Sequence, residues 1–258
     1  MNNKLKFSKA NSKLRKIAEW SDYPVNSIFS IGLPSGYTCL GAADICLSFA
    51  HKKTDKIRIV DGKNTKFRCY SASLEALHTN LRNSVWHNYN QLKNLHTNEM
   101  IELISSSIPK KARLIRCHTS GDFFNERYFQ AFLATARKNK SILFYAYTKR
   151  LQWWVNSLNG VSPPIPGNFK FIASRGGKFD KYIDEYKLRS ATVVYSEQEA
   201  ATKNLIIDYN ERQAITSDKS FGLLIHGSQP KGSVGGIAIK NLKKNNVQFS
   251  YSRGKQNE

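Results

Sequence analysis

From residue 112 onward the chain alternates short apolar runs with amphipathic stretches, and that rhythm admits few folds. Residues 112–118, 142–147, 169–173, 191–195 and 221–226 each read as a strand rich in aromatic and aliphatic side chains. Between them, residues 125–139, a stretch holding Trp153 and Trp154, and residues 180–188 read as helices. In the first of these Tyr128, Phe129, Phe132, Leu133 and Ala136 fall on one face at three- and four-residue steps. Strands that alternate with helices imply a parallel sheet with the helices packed outside. Upstream, residues 28–33 fit a first strand that ends at the turn Pro34-Ser35-Gly36. Residues 56–60 before Asp61-Gly62 resemble one arm of a hairpin, and helices fit residues 70–95 and 98–108. The expected fold is therefore α/β, a partial (β/α) barrel of about six parallel strands with outer helices. The expected organisation is a basic amino-terminal arm over 1–27, a barrel-like domain over 28–240 and a basic tail over 241–258. Within the arm, Leu14, Ile17, Ala18 and Trp20 suggest a short docking turn of helix.

A chain of 258 residues with 40% hydrophobic content can bury one large core. No apolar run approaches the ~20 residues of a membrane span, and Met1-Asn2-Asn3-Lys4-Leu5-Lys6 is not the apolar start of a signal peptide. A soluble, cytoplasmic protein is expected, whose cysteines are thiols or metal ligands rather than bridges. Forty Lys and Arg against nineteen Asp and Glu give a net charge of +21, which points to a polyanionic partner such as nucleic acid. The plainer account is solvated surface charge. Basic residues crowd both ends: Lys4, Lys6, Lys9, Lys13, Arg15 and Lys16 near the start, and Lys231, Lys240, Lys243, Lys244, Arg253 and Lys255 near the finish.

Cys39, Cys46 and Cys69 lie in polar, glycine-bearing sequence after the first expected strand, with six and twenty-two residues between them. Thiolates gathered around a loop can hold a metal or an iron–sulfur cluster. Three thiolates on four irons leave one iron open, whereas structural zinc takes four ligands, the fourth here being His51 or His78. Unligated thiols are the third reading. Cys117 alternates with Ile115 along one strand and reads as a packed thiol.

In parallel α/β folds the chemistry sits at the carboxyl ends of the strands. Five such ends are polar here: Thr119-Ser120-Gly121-Asp122, Thr148-Lys149-Arg150, Ser174-Arg175-Gly176-Gly177, Ser196-Glu197-Gln198 and His226-Gly227-Ser228. Helix caps account for some of these residues, but five in a row mark a candidate rim. His118 and His226 are candidate catalytic histidines on it, His118 being equally readable as a core histidine. Lys149, Arg150 and Arg175 are candidate substrate or nucleic-acid contacts. Trp153-Trp154 beside them suit base stacking or simple burial.

The segments Cys39–Cys46, Phe67-Arg68-Cys69-Tyr70, Ser120-Gly121-Asp122-Phe123-Phe124, Tyr145-Ala146-Tyr147-Thr148-Lys149 and Ile225-His226-Gly227-Ser228-Gln229-Pro230 resemble a bacteriophage family called gene product 88. More distantly, three cysteines after the first strand, the last followed by tyrosine and a helix, resemble the radical SAM enzymes. Those enzymes carry Gly-Gly-Glu at the second strand tip, where this chain has Ser120-Gly121-Asp122, and their cysteines sit closer together as C-x3-C-x2-C. That resemblance implies a [4Fe-4S] cluster on Cys39, Cys46 and Cys69, and S-adenosylmethionine against Ser120, Gly121 and Asp122. It also implies an adenosyl radical that abstracts hydrogen, a reductant protein as partner, and Asp122 among the catalytic groups. The expected function is a radical SAM-like enzyme acting on nucleic acid or a nucleotide, such as phage DNA bases. The alternative is a non-catalytic nucleic-acid-binding protein with structural zinc.

Overall fold

The computed structural model describes residues 4–53 and 56–249. The first strands are β1 (Ser8–Lys9), β2 (Ile28–Ile31), β3 (Ser48–Lys53), β4 (Lys56–Asp61) and β5 (Leu114–Cys117). They are followed by β6 (Leu143–Thr148), β7 (Phe169–Ser174), β8 (Ser190–Val194), β9 (Ile206–Ile207) and β10 (Phe221–Leu224). The helices are α1 (Ser12–Arg15), α2 (Tyr70–Leu77), α3 (Thr79–Leu92), α4 (Thr97–Ser107) and α5 (Glu126–Lys138). After these come α6 (Leu151–Leu158), α7 (Lys181–Glu185), α8 (Glu197–Thr202), α9 (Arg212–Thr216) and α10 (Val234–Lys244).

Eight strands form one sheet in the order β1-β2-β5-β6-β7-β8-β10-β9, and β3 pairs only with β4 in a separate hairpin. Every pairing from β2 to β9 is parallel, and β1 runs antiparallel along β2. From β2 to β8 the strands are laid down in chain order, as successive crossovers of one hand require when each helix returns over the same face. The period of two then sorts the side chains. Phe29, Ile31, Ile115, Cys117, Phe144 and Phe171 join the helix-side core with Met100, Tyr128, Phe132 and Trp154. Ile28, Leu114, Tyr145, Ile172 and Phe221 face the other way. There Leu14 and Ile17 from the amino-terminal segment and Ala214 and Ile215 from α9 cover them.

The segment expected to be a basic arm is thus part of the fold. Leu14 and Ile17 are fully buried, each contributing roughly 1.5–3 kcal/mol. The Leu5 amide donates to Ser107 Oγ (2.8 Å), and Asn88 Oδ1 accepts from the Lys6 amide (2.7 Å). At the far end, α10 extends to Lys244 and Val247 and Phe249 pack against a third cluster; Arg253 and Lys255 lie outside the described residues. Strands β5 to β8 and β10 fall where the sequence predicts them. β1, β3 and β9 and helices α8 to α10 do not appear in that reading, β1 and β9 being two residues each. The helix expected over 70–95 is two helices, because His78 is extended (φ −114°, ψ 101°). Arg82 Nη1 donates to the Glu75 carbonyl at the break (2.7 Å).

Candidate thiol site at the strand tips

The hairpin is what brings the chain back from Cys46 to Cys69. β3 and β4 leave the large sheet, and their base is tied shut. Ser48 lies opposite Asp61 in the pairing, and its hydroxyl donates to Asp61 Oδ1 (2.9 Å). The Gly62 amide donates to the Leu47 carbonyl (2.7 Å), and Arg68 ion-pairs with Asp61 (2.5 Å). The Cys69 amide then reaches Ser48 Oγ (3.2 Å). Most of the twenty-two intervening residues are extruded, which brings Cys69 back beside the chain leaving Cys46.

Cys39 is held from the other side. Its loop crosses the tips of β6 and β7: the Lys178 amide donates to the Gly41 carbonyl (2.9 Å), and Ala42 makes a bridge with Gly177. A Cβ on Gly41 would lie 2.5 Å from the Lys149 carbonyl oxygen, so the crossing requires glycine there.

All three thiols are half-buried, while Cys117 is buried in the helix-side core as expected. Burial, the neighbouring Cys69 and Asp122 push the Cys39 thiol well up. Cys69 is pushed up to about 11 by burial and by Cys46, against the pull of the Ser71 and Ala72 amides at the start of α2. Among the described residues, no group of three or more His, Cys, Asp or Glu side chains is placed to hold a metal ion. His51 instead bonds the Tyr37 hydroxyl (3.3 Å), and His78 breaks the helix.

Ser120, Gly121 and Asp122 form the tip of the second parallel strand, and their side chains join neighbouring elements. Ser120 Oγ lies 2.8 Å from both the Leu33 carbonyl and Glu75 Oε1. Glu75 also accepts from the Ser35 amide (2.7 Å), so one buried carboxylate pins α2 to the tips of β2 and β5. Burial raises its pKa above the ordinary range, although the bonds from Ser35 and Ser120 oppose the shift. Gly121 has φ +77°, and a Cβ there would lie 2.4 Å from Thr38 Oγ1. Asp122 accepts from Thr148 Oγ1 and from the Phe123 and Lys149 amides, each at 2.8 Å. Of the roughly four acceptor positions on a carboxylate, three are filled, so this residue clamps β5 to β6.

The other rim candidates divide. His226 does stand at the end of β10, where its ring lies 4.8 Å from that of Tyr70 and Nδ1 is 3.0 Å from the Leu224 carbonyl. Burial holds its pKa down at about 4, with Lys13 and Arg116 adding to the effect. His118 does not face the rim. Beyond the last residue of β5 strict alternation no longer governs, and its ring sits among Phe123, Tyr128 and Phe132 with Nε2 on the Tyr128 hydroxyl (3.0 Å). Burial lowers its pKa to about 3. Lys149 Nζ is engaged by the Ser174 and Arg175 carbonyls (2.8 and 2.7 Å). Arg150 lies over the Trp153 ring (4.0 Å), Arg175 pairs with Asp184 (2.6 Å), and Trp153 and Trp154 are both core residues. The candidate substrate cations of this end thus have internal partners.

Sequence reasoning missed a second cluster, on the sheet face that the amino-terminal segment and α9 cover. Glu211, fully buried, pairs with Lys13 and with Arg116 Nη1 (3.0 Å), and Arg116 lies over the Tyr147 ring (5.0 Å). Burial opposes charge on Glu211, but Arg116 and Lys13 override it and hold the carboxyl down at about 2. The available signal was Arg116 itself, a charge between Ile115 and Cys117 inside an apolar strand.

These observations define an α/β protein with a mostly parallel sheet, whose cysteine-bearing loops lie at the carboxyl ends of its strands. A family model described as Gene product 88 matches residues 2–252, and the chain belongs to that family. It is 27% identical over 131 residues to the Gene 88 protein of Mycobacterium phage L5. It is 28% identical over the same length to the Gene 88 protein of Mycobacterium phage D29. Each match covers 46% of this chain and 47% of the relative, so the chain spans about half the length of the curated relatives it matches. No solved structure matches it at a significant level.

Proposed function

We propose that this protein is an iron–sulfur enzyme of the radical SAM type acting on a nucleic-acid or nucleotide substrate. The supporting observation is the extruded hairpin, which returns the Cys69 backbone to Ser48, two residues past Cys46, between the first parallel strand and α2. In this reading the one-directional sheet curls into a partial barrel with Cys39, Cys46 and Cys69 at its carboxyl end. By residue type the three thiols suit a group that takes three thiolates and leaves one iron open, although as placed among the described residues they form no metal-holding group. They fit structural zinc less well, since the His51 ring already bonds the Tyr37 hydroxyl. The bound cluster would supply one-electron chemistry to S-adenosylmethionine.

The chain's own residues have separate tasks in this reading. Gly121 lets the β5 tip pack closely against Thr38 and Leu33, while Ser120 and Asp122 hold that tip in place. Tyr70, whose hydroxyl donates to the Thr119 carbonyl (2.7 Å), backs the His226 ring at the substrate mouth. Anaerobic purification and reconstitution of the full chain tests the proposal. A brown protein with bound iron and sulfide is expected, with iron lost when Cys39, Cys46 or Cys69 is changed to alanine. A colourless protein with stoichiometric zinc, or no metal after reconstitution, would overturn it in favour of a binding protein.

A further inference from the structure

The two ends of the parallel sheet differ in what their cations do. At the carboxyl end Arg68 pairs with Asp61, Arg175 with Asp184, and Lys149 caps strand carbonyls, while the exposed Lys178 and Lys231 lie on separate loops. At the opposite end, the loops that enter β5 and β6 show another pattern. Residues 109–113 and 138–141 carry five cations and no carboxylate. Lys110, Lys111, Arg113, Lys138 and Lys140 are all exposed, and among the described residues none is ion-paired. Parallel topology places these loops side by side, because β5 and β6 are neighbours and both are entered from this end.

The same end continues into an open cleft of about 500 Å³ beside the entry to β2, lined by Lys9, Arg15, Pro24, Val25 and Asn26. Arg113 connects the cleft to the lysine loops. Its amide donates to the Ser27 carbonyl (2.9 Å), and its guanidinium lies 5.5 Å from the Tyr23 ring centre. Seven exposed cations on a continuous track, with an arginine–tyrosine platform in the middle, match a phosphodiester backbone with bases that stack.

We propose that the amino-terminal end of the sheet is a nucleic-acid-binding face, separate from the thiol rim. This rests on the reading of a nucleic-acid partner and not on the identity of any metal. The two surfaces lie a strand apart, roughly 20 Å for six residues. Binding and thiol chemistry are therefore separable by mutation.

The test is fluorescence anisotropy of a labelled single-stranded oligonucleotide against the full chain over a range of sodium chloride concentrations. Wild type should bind with a log–log salt slope that grows by about 0.7 for each phosphate contacted. Changing Lys110, Lys111, Lys138 and Lys140 to serine should weaken binding at least tenfold and flatten the slope, with the melting curve little changed. Changing Lys178 and Lys231, exposed on the carboxyl-end loops, should leave the slope as it is, and so should the three cysteine-to-alanine changes. The proposal is overturned if the four-lysine variant binds like wild type, if the Lys178 and Lys231 variant alone loses affinity, or if wild type binds anionic vesicles and not the oligonucleotide. Loss of iron from the cysteine variants with oligonucleotide binding retained would leave this proposal standing whatever the cofactor proves to be.

Discussion

On one face of the large sheet Phe123, Tyr128 and Phe132 pack ring against ring; on the other, Lys13 and Arg116 close on Glu211. Both regions exclude water, but they respond to change in different ways. The aromatic face is held by area and dispersion, so a deletion there loses contacts in proportion to the atoms removed. The charged face is held by mutual compensation among three groups. Its members are costly when one is removed and close to neutral when all are replaced together by apolar side chains. The contrast extends to acid. The aromatic face buries a neutral histidine, the charged face an ionised carboxylate, and protonation harms each.

The largest effect is expected from deleting residues 1–17. That change strips Leu14, Ile17 and Lys13 from the charged face and removes β1 from the sheet edge. The lost burial and pairing together rival the ~5–15 kcal/mol that a whole domain commands. Circular dichroism on heating should show no cooperative transition. A truncated chain that melts like the full one would mean the segment is the detachable arm that its composition suggests.

Next in size is Glu211→Gln, which leaves two cations buried without a full counter-charge and should cost about 3–5 kcal/mol in urea unfolding. Replacing all three as Lys13→Met, Arg116→Met and Glu211→Leu should recover most of that loss. The triple variant also isolates the acid response. Folding lowers the Glu211 pKa from 4.5 to about 2, so its stabilisation is present above the unfolded value and is lost as pH falls through that window. Wild type should weaken between about pH 4.5 and 2, and the triple variant should weaken less there. Equal slopes would show that Glu211 is not the group responsible.

The smallest effect is expected on the aromatic face. His118→Phe keeps the ring and removes one hydrogen bond to Tyr128, a change of about 1 kcal/mol. Burial lowers the folded His118 pKa from 6.5 to about 3, so the unfolded chain binds more protons between those values. Stability conferred by the neutral ring is thus lost as pH drops from 6.5 toward 3, and the variant should show a shallower decline. His226 acts in the same direction in wild type and variant alike. A steeper decline in the variant would contradict the burial of a neutral His118.

Much of the sheet was legible because its signal is local. Leu143-Phe144-Tyr145-Ala146-Tyr147 is apolar on both faces, as a central parallel strand must be. Tyr128, Phe129 and Phe132 show the helical step in one short window. Cys117 was read as packed because Ile115 shares its face. The rim was legible as a set of strand ends, yet the duties of its side chains were not. Lys149 looks like a free cation until the carbonyls of Ser174 and Arg175 are brought to it. Arg150 and Arg175 likewise find their partners three and nine positions away through the turn that follows each strand.

The sequence by itself determined the alternation of strand and helix, the polarity of the strand tips and the excess of positive charge, since each depends on residues within about a turn of one another. Only the tertiary structure decided that Cys69 returns to Ser48, because the closure belongs to Ser48, Asp61 and Arg68 acting across the hairpin. It alone decided where the docking turn of the amino-terminal segment finds its counter-charge, because Lys13 meets a carboxylate at position 211. It also decided which cations are left to meet a partner: pairing is a property of distance in space, and a basic composition says nothing of where the carboxylates come to rest.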